Sequence, residues 1–89
     1  MNGKRRGEKS IYTREYAASL RLLKEFRENA GITQVELAKI LGQTQSFVSK
    51  IERGDRRLDI IQLRTILKKL GVSLVSFAES LESDLAGRR

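Results

Sequence analysis

Four glycines, at positions 31, 42, 54 and 71, each close a segment whose apolar residues recur three and four apart. That spacing belongs to an amphipathic helix, and a glycine just past it supplies the left-handed residue on which helices commonly end. Helix starts follow these stops. Thr33 and Glu36 have capping-box spacing, with Ile32 and Leu37 flanking it as a hydrophobic staple. Asp59 and Gln62 repeat the pattern with Leu58 and Leu63, Ser73 heads a last segment with Val72 and Phe77, and Thr44 can cap the short segment between. The punctuation predicts five helices, over about 13–30, 33–41, 44–53, 59–70 and 73–84. Proline is absent and no segment alternates with period two, so an all-α chain is expected.

The predicted helices carry stripes that can close one core: Tyr16, Leu20, Leu23, Phe26 and Ala30; Leu37, Ala38 and Leu41; Val48 and Ile51; Ile60, Leu63, Ile66, Leu67 and Leu70; Leu74, Phe77, Ala78 and Leu81. Eighty-nine residues make one domain near the lower limit for a self-sufficient core. With neither cysteine nor histidine, the chain lacks disulfides, thiol and imidazole catalysis, and the usual zinc ligands. No metal, cofactor or enzymatic activity is expected. Ser46 and Ser49 have no base to activate them, and no glycine-rich phosphate loop is present. No apolar run is long enough for a membrane span and no signal-peptide pattern opens the chain, so a cytoplasmic protein is expected, or a nucleoid-associated one if it binds DNA.

The net charge of +7 is unevenly placed. Lys4, Arg5, Arg6 and Lys9 against Glu8 give the first nine residues +3, and Arg88 and Arg89 add two more. Residues 1–12 are expected to form a disordered basic arm, 13–85 the folded domain and 86–89 a basic tail. The arm reads equally well as a solubility tail or as a contact to phosphate. Within the domain, Arg53, Arg56 and Arg57 cluster after the third segment, while Glu79, Glu82 and Asp84 make the last one acidic.

Only Gly42 and Gln43 separate Leu41 from the Thr44 cap, so the second and third helices must cross closely. Ala38 is small where they would touch, and Gly42 supplies the positive φ of the turn. Val48 and Ile51 fix the third helix by one face, which leaves Gln45, Ser46, Ser49 and Lys50 polar and outward. An ordinary solvated face would look the same in isolation. The tight connection makes a helix-turn-helix the stronger reading. Phe47, beside Val48 and a turn before Ile51, is read as packed on a neighbouring helix rather than reaching a thymine methyl.

The stretch from Gln34 to Gly54, QVELAKILGQTQSFVSKIERG, resembles the helix-turn-helix of lambda-repressor-like, XRE-type regulators. The resemblance continues through Leu23, Phe26, Arg27 and Gly31 upstream, and Leu63, Leu70, Gly71, Val72 and Ser73 downstream. Leu58 and Leu67 depart from it, standing where many relatives have proline and alanine. The resemblance implies a compact five-helix DNA-binding domain with helix 44–53 in the major groove of double-stranded DNA. It implies base contacts by Gln45, Ser46, Ser49 and Lys50, and phosphate contacts by Gln34, Thr44, Arg53, Arg56 and Arg57. Arg27 and Glu52 match a structural ion pair. Glutamine suits adenine and lysine suits guanine, while serine can serve either.

The last segment is more apolar than one core contact needs. Ile61, Leu74, Phe77, Leu81 and Leu85 are expected to form a homodimer interface, because one module presents few base contacts and two can read paired half-sites. The function expected is that of a dimeric transcriptional regulator, a repressor before an activator, on a palindromic operator. A restriction–modification controller or an antitoxin-type autoregulator with a toxin partner shares the format, and a protein-interaction module on the same fold is the rival of another class.

Overall fold

The computed structural model describes residues 13–87, and the basic arm expected over 1–12 lies outside them. Five helices follow one another, and no strand occurs among the described residues. They are α1 (Arg14–Asn29), α2 (Gln34–Leu41), α3 (Gln45–Arg53), α4 (Ile60–Lys69) and α5 (Leu74–Gly87).

The starts of α2 to α5 are each made by the side chain expected, and Thr13 caps α1 by accepting from the Tyr16 amide. Thr33 accepts from the Glu36 amide at 3.1 Å while the Glu36 carboxylate accepts from the Thr33 amide at 2.9 Å. Asp59 and Gln62 form the same reciprocal pair at 2.7 and 3.1 Å. Thr44 accepts from the Phe47 amide and Ser73 from the Ser76 amide. These bonds satisfy donors that a helix start otherwise leaves without partners, each worth about 1 kcal/mol. Gly42 ends α2 at φ 69°, with its own N–H on the Ala38 and Lys39 carbonyls. The turn is therefore closed by backbone geometry that an L-residue adopts only with strain.

The last helix is longer than its expected end at residue 84. Nothing after Asp84 stops it, so Leu85, Ala86 and Gly87 continue the ladder. The tail expected to begin at residue 86 is thus helical in its first two residues.

One core joins all five helices. Leu20, Leu23, Leu37, Ala38, Val48, Ile51, Ile66, Leu67, Leu70 and Phe77 are buried in a single cluster, and the staple residues Ile32, Leu58, Leu63 and Val72 pack against it. Leu67, at the position where relatives often have alanine, is wholly buried, so the added volume fills the core. Phe26 of α1 and Phe77 of α5 meet in a tilted aromatic contact with ring centroids 6.0 Å apart.

That placement corrects one expectation. Phe77 is 2% exposed within a single protomer, so it has no surface to give a partner. A large ring in so small a domain is drawn into the core before any interface can use it. Leu74, Leu81 and Leu85 are half-buried, and Ile61 is 67% exposed.

Candidate nucleic-acid interface

The third helix is split by burial along its length. Val48 and Ile51 lie in the core at 2% exposure each, while Gln45, Ser46 and Lys50 are exposed and Ser49 is half-buried. Ala38 of α2 is buried in the same cluster as Val48 and Ile51, which is why this position holds a methyl group. Phe47 packs against the core as expected, and the Arg56 guanidinium lies 4.7 Å from its ring centroid. That stack holds the first arginine of the following loop against α3.

Behind the exposed face stands a buried ion pair. The Arg27 Nε and Nη2 atoms donate to the two carboxylate oxygens of Glu52 at 2.6 and 3.1 Å, and Nη1 donates to the Ile32 carbonyl at 2.7 Å. The two side chains are 8% and 6% exposed. The hydrogen bond to Glu52, reinforced by its charge, raises the Arg27 pKa above arginine's ordinary value against the opposing effect of burial. The pair ties the end of α1 and its turn to the last full turn of α3, the structural role expected of it.

From this pair a hydrogen-bonded chain runs out to the surface. The Gln34 side-chain nitrogen donates to Glu52 Oε1 at 2.9 Å, and the Gln45 nitrogen donates to Gln34 Oε1 at 2.7 Å. Gln34 and Gln45 each follow an N-cap threonine, so both stand at the opening of a helix, where backbone N–H groups and the helix dipole favour an anion. Sequence reading placed both residues on the interface without linking them. Their shared place just after a cap is the only local sign, and pairing them requires knowing how α2 and α3 abut.

The remaining expected contacts are not all presented alike. Thr44 is an exposed cap whose oxygen already accepts one backbone bond. Arg53 is folded back, donating to Ser49 Oγ at 2.7 Å and to Asp55 at 2.9 Å. Ser49 and Arg53 therefore engage each other in the free protein. Arg56 and Arg57 are exposed in the loop. The loop is held from behind, because the Leu58 amide donates to the Tyr16 hydroxyl at 3.1 Å, a contact between α1 and the loop that no sequence pattern announced.

The helix-turn-helix family profile matches residues 23–77, which include α2, α3 and α4 entire. An XRE-family-like protein from Pseudomonas syringae pv. tomato str. DC3000 is 44% identical, with 86% of this chain and 94% of that one covered, at a TM-score of 0.76. The chain belongs to the XRE-type helix-turn-helix family. The family's activity is DNA binding in transcription regulation. A mutant of the restriction–modification controller protein C.Esp1396I has a solved structure similar to this XRE-type chain, with 32% identity over 86% of this chain and 98% of its own and a TM-score of 0.78. The clp gene regulator ClgR from Corynebacterium glutamicum is similar at 28% identity over 79% of each chain, with a TM-score of 0.62. No curated protein matches the sequence.

Proposed function

We propose that this XRE-type chain is a sequence-specific repressor that binds a palindromic operator as a homodimer, with α3 in the major groove. The observation that carries the reading is the division of α3: its apolar residues are locked in the core, and Gln45, Ser46 and Lys50 stand exposed in the first two turns. Those three, with Ser49, read base edges. Gln34, Thr44, Arg53, Arg56 and Arg57 hold phosphates and set the register of the helix without reading sequence. Arg53 exchanges its Asp55 and Ser49 partners for phosphate on binding, which frees Ser49 for the groove.

The dimer surface comprises the exposed Ile61 and the half-buried Leu74, Leu81 and Leu85. Ile61 is a large apolar side chain left two-thirds exposed in the protomer. Likeness to a restriction–modification controller supports an autoregulatory variant of the same reading, in which protein concentration sets operator occupancy. We read the chain as non-enzymatic and cytoplasmic. It has no histidine or cysteine, and among the described residues no helix is long and apolar enough to cross a membrane.

Selection from randomised duplexes followed by gel shift tests the proposal. A palindromic consensus with half-sites about one helical turn apart is the expected result. Equal binding to all duplexes overturns sequence-specific regulation, and no binding to any leaves the protein-interaction module. Sedimentation equilibrium at micromolar concentration should show a dimer that Ile61→Asp dissociates. A wild-type monomer there, with and without operator, removes the dimer.

A further inference from the structure

The chain of bonds Arg27–Glu52–Gln34–Gln45 begins in the core and ends on the exposed face of α3, and it has a direction. A carboxylate that already holds a guanidinium through both oxygens can only accept. The Gln34 amide, 2.9 Å from Glu52 Oε1, therefore has to turn its nitrogen toward Glu52. Of the oxygen and second N–H that Gln34 keeps, it is the oxygen that lies 2.7 Å from the Gln45 nitrogen, so Gln45 donates. One N–H of Gln45 is consumed. Its carbonyl oxygen and one N–H are left for whatever faces α3.

We propose that Glu52, acting through Gln34, sets the donor–acceptor polarity of Gln45 and thereby makes the first residue of α3 select adenine over guanine. The proposal rests on the reading of α3 as the groove-entering helix. In the major groove adenine offers a donor at N6 and an acceptor at N7, which matches one oxygen and one N–H. Guanine offers acceptors at both O6 and N7 and asks for two donors. The second N–H that guanine needs is held by Gln34. Glu52 and Gln34 are positioning residues in this step, and Glu52, with its side chain 6% exposed, specifies a base from behind the helix that touches it.

Duplex selection with the full chain as wild type, Glu52→Gln, Gln34→Leu and Gln45→Ala tests this, alongside NMR of the side-chain amides in the free proteins. Gln45→Ala identifies the position read. At that position the wild type should favour adenine over guanine by about tenfold or more, and both Glu52→Gln and Gln34→Leu should reduce the ratio to within about threefold. Preferences at other positions should stay as they are, a result that general loss of fold would not give. Gln34→Leu leaves the Arg27–Glu52 pair in place and keeps the test open should Glu52→Gln unfold. A wild-type adenine ratio in both variants overturns the proposal. In the free protein the Gln45 amide should be ordered in the wild type and mobile in Glu52→Gln. Equal mobility in the two overturns the relay without reference to DNA, whereas silence of Gln45→Ala in the selection, with the amide ordered, overturns the base-reading step.

Discussion

The Tyr16 hydroxyl of α1 accepts the backbone N–H of Leu58, 42 residues further along the chain, at 3.1 Å. This bond anchors the loop that carries Arg56 and Arg57 to a helix outside the helix-turn-helix. Tyr16→Phe removes the acceptor and keeps the ring, so it should destabilise the fold by about 1 kcal/mol. Affinity should fall for every duplex alike, with the consensus unchanged. Thermal unfolding and a gel shift on operator and random DNA read the two effects separately.

The Arg27–Glu52 pair is nearly enclosed, and its removal from one side leaves a charge without a partner. Arg27→Met should cost about 3–5 kcal/mol in a denaturant titration, far more than the pair contributes over a well-packed apolar substitute. Because the Arg27 pKa is raised, its contribution is complete below arginine's ordinary value and is lost only as pH climbs through the raised one. The stability gap between wild type and variant should therefore stay level from neutral to moderately alkaline pH.

Ala38 is 3% exposed in the cluster that also holds Val48 and Ile51. Ala38→Leu overfills the joint of α2 and α3 and should cost about 1–3 kcal/mol. Operator binding should weaken by more than the loss of folded protein explains, since the side chains of α3 and the start of α2 no longer share one frame. Comparing affinity per folded molecule, by circular dichroism and titration, checks this.

The loop arginines should differ. Arg57→Ala removes an exposed charge and should weaken all duplexes equally, lowering the slope of log affinity against log salt by about one. Arg56→Ala should do the same and additionally cost about 0.5–1 kcal/mol of stability, because Arg56 also covers the Phe47 ring. Salt-series titrations with melting curves distinguish the two.

Local chemistry made much of this protein readable in advance. Thr33, Thr44, Asp59 and Ser73 cap helices because a short oxygen side chain is the nearest acceptor for an open helix start, and that depends only on neighbours three residues away. Gly42 and the interrupted apolar stripes likewise act over a turn or two, so the five helices and the polar side of α3 follow from sequence alone. The fate of residues with two possible surroundings did not. Phe77 has the same spacing whether it faces a core or a partner, and only the packing of the other helices around it, Phe26 among them, decided for the core. Gln34 and Gln45 stand eleven residues apart, Tyr16 and Leu58 forty-two; their bonds exist because whole helices are packed, and no periodicity within one segment encodes a contact made between two.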